Sequence, residues 1–169
     1  SSYSVLRNNP IWFTDPFGDT TSYDFFSKKD KPSFHLAAAK EVEKQIYDNV
    51  FIVYAHSSSS GFIYFDEDGN RKSVTTATQF KILMDEKTNG EFSKSLQKAK
   101  EDGSEVKVIF KSCNLASNDF YDEHFGQGIV HTDKTFAQRV AKGLSLSIVA
   151  PDGYALYSSD PNKPGVVGY

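Results

Sequence analysis

The chain has 169 residues, of which 38% are hydrophobic and 14% aromatic, and its net charge is −3. This composition is too apolar for a disordered chain and predicts one folded domain over residues 1–169. A net negative charge disfavours a nucleic-acid-binding protein, which needs a basic surface. No apolar run approaches the ~18 residues of a membrane span, and no signal peptide is recognisable, so we expect a soluble protein.

The chain contains a single cysteine, Cys113, and a single methionine, Met84. A lone cysteine cannot form an intramolecular disulfide, so the fold must be stable without one. Because the chain does not begin with methionine, we expect a processed product or a domain excised from a longer polypeptide.

The first half of the chain predicts an irregular arm, a helix, a strand and a hairpin. Residues 1–34 are rich in turn formers and predict an irregular N-terminal arm. Apolar residues recur every three or four positions over 36–48, which predicts a helix. The wholly apolar "VFIVYA" at 50–55 predicts a strand buried on both faces. "FIYFDEDGNRKSVT" predicts a β-hairpin that turns at Asp68-Gly69.

The second half alternates helical and extended patterns. Helices are expected near 77–84 and 91–100, the second ending at Asp102-Gly103, and a strand over 105–110. Residues 117–131 predict a polar loop.

A third helix of the second half has Phe136 and Val140 on its apolar face. We expect a cap at Thr132 or Asp133 and an end at Gly143. A buried strand over 146–151 and a short strand in "YALYS" would follow. The alternation predicts an α/β fold with a mainly parallel central sheet, helices on its faces and an inserted hairpin.

Two residues whose side chains could take part in catalysis follow the predicted core strands. His56 comes after the strand at 50–55, and Cys113 comes after the strand at 105–110. The carboxyl ends of parallel strands form one edge of a sheet, where ligands bind, so we expect both side chains at that edge. An imidazole beside a thiol can take its proton and later protonate a leaving amine. Either residue alone is more often structural, but the pair favours a catalytic dyad.

Other motifs favour simpler interpretations. His124 and His131 lie among acidic residues, but their spacing is not a usual zinc arrangement, so solvated loop positions are favoured. The serine run "HSSSSG" is not Gly-x-Ser-x-Gly, and we expect it to be a flexible loop that shapes the cleft.

The chain resembles the caspase-like (clan CD) cysteine peptidases. The matching pieces are "VFIVYAHSSSSG", "VKVIFKSCNLAS" and "TFAQRVAKGLSLSIVAPDGY". His56 precedes Cys113 by 57 residues. This order matches caspases, whose histidine lies about 50 residues upstream of the cysteine, and differs from papain-like enzymes, in which the cysteine comes first. The chain is most similar to the self-processing peptidase domains of bacterial toxins and to domains of secreted polymorphic toxins and effectors.

The resemblance implies a caspase-like three-layer sandwich and a set of site residues. His56 would be the catalytic imidazole and Cys113 the nucleophile of a thioester-forming endopeptidase. The Cys113 N–H and the N–H of Ser57 would hold the oxyanion. The surrounding cleft is expected to include Gly61, Ser112 and Asn114. Separately from the resemblance, the position of Asp152 just after a predicted core strand fits either a specificity pocket or the capping of a helix or loop.

The sequence departs from the family in two loops. Ser57 stands where the family usually has glycine, and Leu115-Ala116 replaces the usual Thr-Gly after the nucleophile and its asparagine. A catalytically altered binding module, or a Cys-His protein deamidase or acyltransferase, therefore stays open as an alternative.

The resemblance also implies a setting for the protein. We expect a secreted protein, or one delivered into a target cell, whose partners are a protein substrate and an inhibitory immunity protein. Some toxin relatives need inositol hexakisphosphate. This chain has 19 basic residues against 22 acidic ones, so that cofactor is not expected. No metal is expected either, because the histidines show no usual ligand spacing.

Overall fold

The computed structural model describes residues 20–30, 32–41, 49–113, 115, 121–122, 127–129, 134–158, 160, 162–163 and 165–168. Its strands are β1 Thr20–Asp24, β2 Val50–Tyr54, β3 His56–Ser58, β4 Gly61–Phe65, β5 Arg71–Val74, β6 Lys107–Lys111, β7 Tyr121–Asp122, β8 Gln127–Ile129, β9 Ser147–Val149, β10 Leu156–Tyr157 and β11 Val166–Gly168. Its helices are α1 Pro32–Glu41, α2 Ala77–Thr88, α3 Glu91–Asp102 and α4 Phe136–Leu144.

The central sheet has four strands in the order β1-β2-β6-β9, and each neighbouring pair is parallel. The predicted mainly parallel sheet is therefore confirmed. Strand β2 is apolar at every position and pairs with β6 from Val50 opposite Lys107 to Tyr54 opposite Lys111. This register matters below, because both candidate catalytic residues follow these two strands.

Helices pack on both faces of the sheet. On one face Phe51 and Val53 of β2 join a buried cluster with Phe80 of α2, Phe92 of α3 and Phe136 of α4. On the other face the alternate residues Ile52 and Tyr54 pack with Ala37 and Ala38 of α1. The period-2 alternation of side chains thus divides one apolar strand between two cores.

The predicted hairpin is confirmed and is extended by one strand. Strands β4 and β5 are antiparallel, and Gly69 in the turn between them has a φ of 81°. Strand β3 adds to the other side of β4, which gives the order β3-β4-β5. The run after His56 therefore enters a second, antiparallel sheet at the end of the parallel one.

The prediction of an irregular arm over residues 1–34 is confirmed for residues 25–30, which form no helix or strand, and is wrong for the described residues on either side. Residues Thr20–Asp24 form β1, a parallel strand paired with β2 along its whole length. Helix α1 begins at Pro32, a residue that is favoured in the first helical turn. The surrounding turn formers obscured a short strand whose Thr20, Thr21 and Tyr23 are good strand residues.

The helix predicted over 36–48 begins four residues before the predicted start, at Pro32. Helix α1 spans Pro32–Glu41, while residues 42–48 lie outside the described part. The helices expected near 77–84 and 91–100 are confirmed as α2 and α3, and α3 ends at Gly103 with a φ of 73°.

Both predicted ends of α4 are wrong. Thr135 caps its start through the Gln138 N–H, and Gln138 bonds back in a capping box; this Thr-x-x-Gln pattern is visible in the sequence. The C-cap is Ser145, with a φ of 53°. Gly143 lies inside the helix, where an added Cβ would come within 2.9 Å of the Ala77 Cβ. The glycine permits close packing of α4 on α2.

Strand β9 is shorter and more exposed than the buried strand predicted over 146–151. It spans Ser147–Val149, and Val149 is 52% exposed. An apolar run indicates burial on both faces only in a central strand, and β9 lies at the edge of the sheet.

The remaining described segments form short antiparallel pairs. Strand β7 pairs with β8 inside the stretch predicted to be a polar loop over 117–131, most of which lies outside the described residues. The strand expected in "YALYS" is confirmed as β10, which pairs with β11. In the described part of the chain, no helix has both the length and the hydropathy needed to cross a membrane.

Candidate active site

His56 and Cys113 occupy equivalent positions after neighbouring parallel strands. The last register pair of β2 and β6 is Tyr54 opposite Lys111. His56 and Cys113 each follow that pair by two residues. The prediction that both residues lie at one edge of the sheet is therefore confirmed for the backbone, and the structure shows that the two strands are neighbours.

A carboxylate that the sequence did not single out contacts the imidazole. Asp30 Oδ1 lies 3.0 Å from His56 Nε2, and the side chains are 22% and 27% exposed. The second carboxylate oxygen of Asp30 accepts a hydrogen bond from the Ser27 N–H at 2.8 Å. The fixed carboxylate therefore orients the ring and leaves Nδ1 as the nitrogen not bonded to Asp30.

Two aromatic rings pack edge-on against His56. The ring centroid of Phe26 lies 5.0 Å from that of His56, and the centroid of Phe34 lies 5.9 Å away. Both phenylalanines also contact Tyr157, at 5.8 and 4.4 Å. Apolar walls of this kind restrict the movement of the imidazole.

Ser57 bonds to the backbone of Cys113 in both directions. Its hydroxyl donates to the Cys113 carbonyl at 2.5 Å and accepts from the Cys113 N–H at 3.0 Å. Ser57 is 2% exposed and lies in β3 with no positive φ. The serine in place of the usual glycine therefore fits the backbone, but it occupies the N–H that was expected to hold an oxyanion.

The Cys113 thiol is half-buried and receives one backbone donor. The Ala155 N–H donates to Sγ at 3.3 Å. Burial raises the pKa of the Cys113 thiol, an effect that the Ala155 N–H opposes because it stabilises the thiolate. The resting thiol is therefore protonated at neutral pH, and a nearby base is needed to activate it.

The segment after Pro151 joins the two halves of the site. Ala155 contacts the sulfur, and two residues later the Tyr157 hydroxyl donates to the Lys111 carbonyl at 2.7 Å. The Tyr157 ring packs on Phe26 and Phe34, which both contact His56. One short segment, residues 155–157, therefore contacts both the thiol and the aromatic rings that pack on His56.

The expectation that "HSSSSG" forms a flexible loop is wrong. Ser57, Ser58, Ser59 and Ser60 are all buried, in β3 and the tight turn that follows it. The first N–H of α4, from Phe136, donates to the Ser59 carbonyl at 2.8 Å. Such an N–H has no partner within its own helix, so the helix start stabilises the turn.

A second anchor of the serine turn is Arg139 of α4. Its Nη2 donates to the Ser60 carbonyl at 2.9 Å and to the Thr75 carbonyl at 3.0 Å. The guanidinium therefore connects the turn after β3 to the residue that follows β5.

The other predicted cleft residues have different surroundings. Gly61 is buried at the start of β4, where its Cα faces the Val74 carbonyl. Ser112 is 1% exposed, and its hydroxyl has no partner among the described residues. Asp152 is exposed in the loop after β9. Asn114 lies outside the described residues.

A cleft of about 670 Å³ lies next to the segment that supports His56. Residues 23–29 line one side, and the β4–β5 turn at 65–69 lines the other. Neither His56 nor Cys113 lines it, but Phe26 and Ser27 do, and they also contact His56 or its partner Asp30. The same segment, residues 23–29, therefore lines the cleft and contacts His56 or Asp30.

No group of three or more His, Cys, Asp or Glu residues that could hold a metal occurs among the described residues. His124 and His131, the histidines of the disfavoured zinc site, lie outside the described part of the chain.

Comparisons with known proteins identify no family for this chain. No family model matches it, and neither the curated proteins nor the solved structures contain a significant match. The resemblance to caspase-like peptidases therefore rests on the sequence motifs, and the function must be argued from the site.

Proposed function

We propose that this chain is a caspase-like cysteine endopeptidase in which His56 and Cys113 form the catalytic dyad. The observation that supports it most is the equal offset of the two residues after the paired strands β2 and β6. An imidazole and a thiol at one sheet edge are the groups that acyl transfer from a peptide requires.

The proposed reaction begins with transfer of the Cys113 proton to the His56 imidazole, which Asp30 contacts at Nε2. The thiolate attacks the peptide carbonyl carbon, the C–N bond breaks, and the imidazolium protonates the departing amine. Water then hydrolyses the thioester, which releases the acid and restores the thiol. Asp30 stabilises the imidazolium during both steps, as a positioned carboxylate does in other nucleophilic triads.

The raised pKa of the Cys113 thiol favours this general-base route over a permanent thiolate–imidazolium pair. The Ala155 N–H would stabilise the sulfur once it is charged. We propose that the substrate is a protein segment, part of which would enter the cleft lined by residues 23–29 and 65–69. The delivered-toxin setting and an immunity protein covering the site remain part of this proposal, because the sequence resemblance implies them.

One observation favours a second candidate, a binding module with an altered site. The Cys113 N–H already donates to Ser57, so the oxyanion donor expected from the sequence is occupied. Catalysis requires either that Ser57 releases this N–H or that other donors hold the oxyanion. A protein deamidase or acyltransferase would use the same thioester chemistry on a glutamine side chain.

A thiol-reactive acyl probe tests the dyad directly. The wild-type protein is expected to form a thioester at Cys113 as the probe's leaving group departs, and His56→Gln should label much more slowly because the base is lost. Equal labelling of the two proteins would reject the dyad and favour the binding module. Mass spectrometry of treated host proteins then separates the reactions, because hydrolysis cuts the chain whereas deamidation adds about 1 Da to a glutamine.

Replacing Ser57 with Gly is expected to raise peptide turnover. The change removes the acceptor of the Cys113 N–H and makes this donor available to the substrate. One oxyanion donor is worth about 10²–10³ in kcat, so the gain can reach that range. The loss of two hydrogen bonds should lower the free energy of unfolding by about 1–3 kcal/mol. Steady-state kinetics and urea unfolding measure the two effects.

Ser59→Ala is the matched control for the Ser57 substitution, since Ser59 is equally buried and its hydroxyl has no partner among the described residues. It should leave turnover unchanged. A fall in turnover in Ser57→Gly, with Ser59→Ala unaffected, would show that the serine hydroxyl assists the reaction and would contradict its role as a block.

A further inference from the structure

A second histidine, His35 of α1, bonds to acceptors on both sides of its ring. Its Nδ1 lies 2.5 Å from Asp24 Oδ2, and its Nε2 lies 3.0 Å from the Ser27 carbonyl oxygen. A neutral imidazole has a single N–H and could satisfy only one of these acceptors. The geometry is therefore that of an imidazolium that donates to both.

The Ser27 carbonyl that His35 contacts belongs to the turn that carries Asp30. The Asp30 N–H donates to this same carbonyl at 2.9 Å, and the Ser27 N–H donates to Asp30 Oδ2 at 2.8 Å. Asp30 then contacts His56 Nε2 through its other oxygen. One short turn therefore connects the two imidazoles.

A ring between the two histidines reinforces the connection. Phe26 lies edge-on to both, with its centroid 6.1 Å from His35 and 5.0 Å from His56. The Phe26 N–H donates to Asp24 Oδ1 at 2.9 Å. The carboxylate that binds His35 thus also fixes the aromatic ring that packs on His56.

We propose that His35 is a positioning residue for His56: its doubly protonated ring holds the Ser27–Asp30 turn, and the turn aligns Asp30 on the catalytic imidazole. The effect of His35 on catalysis rests on the proposed peptidase activity, whereas the structural coupling between the two histidine rings does not.

The charged groups around His35 set the direction of its pH dependence. Asp24 faces the ring from the end of β1, and Asp30 faces it from the turn. Two further titratable groups lie beyond Phe26. They are His56 at the start of β3 and the Tyr157 hydroxyl of β10, which donates to the Lys111 carbonyl. The hydrogen bond that the His35 ring donates to the Asp24 carboxylate raises the pKa of His35 above its ordinary 6.5. The imidazolium therefore persists below the raised pKa and is lost as pH rises through it. One of its two contacts is then lost, and the turn loosens.

NMR titration tests the coupling without any need for catalysis. The Ser27 and Asp30 amide shifts are expected to move with the same midpoint as the His35 ring, whose resonance is identified by its absence in His35→Gln. In His35→Gln this movement should disappear. Amides that do not follow the ring, or that still titrate at that midpoint in His35→Gln, would overturn the inference.

Kinetics of peptide cleavage test the positioning role. His35→Phe removes both donors and should lower kcat by about 10- to 100-fold with KM unchanged, since small displacements of a catalytic group cost this much. His35→Arg keeps donors and charge at every pH, so it should extend activity above the pH at which the wild type declines. An unchanged kcat in His35→Phe, at matched thermal stability, would contradict the role. If the wild type cleaves nothing while its amides still follow His35, the peptidase proposal fails and the coupling stands.

Discussion

Cys113→Ala is expected to lower peptide cleavage by on the order of 10³-fold or more, because removal of a nucleophile eliminates the covalent route. The fold should be retained, since the side chain is half-buried and its one recorded hydrogen bond is from the Ala155 N–H. Cleavage of a peptide library followed by mass spectrometry, together with the thermal midpoint of each protein, measures both properties.

Ser112→Ala is the matched control for this experiment. Ser112 precedes the thiol and is buried, and its hydroxyl has no partner among the described residues. Its removal should leave cleavage within the range of the wild type. If Cys113→Ala keeps the activity of the wild type, the thiol is not the nucleophile and the proposed mechanism is wrong.

Gly61→Ala is expected to lower the free energy of unfolding by roughly 3 kcal/mol or more, as severe overpacking does. A Cβ at position 61 would lie 2.0 Å from the Val74 carbonyl oxygen and 3.2 Å from the Thr75 Cα. These are backbone atoms of β5 and its end, so they cannot move aside as a flexible side chain would. The φ of 154° adds strain. For a chain of this size the thermal midpoint should fall by roughly 6–12 °C.

Gly69→Ala separates the clash from the general cost of replacing a glycine. Gly69 also has a positive φ, of 81°, but an added Cβ there meets no atom within 4 Å. Its replacement should cost only about 1–2 kcal/mol, from backbone strain alone. Equal loss of stability in the two variants would contradict the close approach of β4 to β5.

Local patterns in the sequence predicted the elements whose structure depends on turn residues or on a regular spacing of apolar side chains. The apolar run of β2, the Asp-Gly turn of the hairpin and the periodic stripes of α2 and α3 each determine a structure almost irrespective of their surroundings. Two of the failed predictions depend on neighbours, whereas the start of α4 at Thr135 follows a local capping box that the sequence contains. Gly143 permits contact with Ala77 and does not end its helix, and β9 is exposed because of its place in the strand order.

The candidate site also contains residues that the sequence could predict and residues that only the folded structure reveals. His56 and Cys113 could be proposed from the sequence because each directly follows an apolar strand, and the strand register then places them at equal offsets. Asp30 and His35 could not be found, since they lie in a segment rich in turn formers and act only after β1 and α1 have packed beside β2.

By itself, therefore, the sequence determined the periodic core elements and the two residues proposed for catalysis, because periodicity and strand ends are local properties. Tertiary structure alone decided that Ser57 occupies the Cys113 N–H, that Asp30 holds His56, and that the serine run is buried under the start of α4. Each of these contacts joins residues far apart in the chain, and a hydrogen bond of that kind forms only when packing has already brought its two partners within about 3 Å.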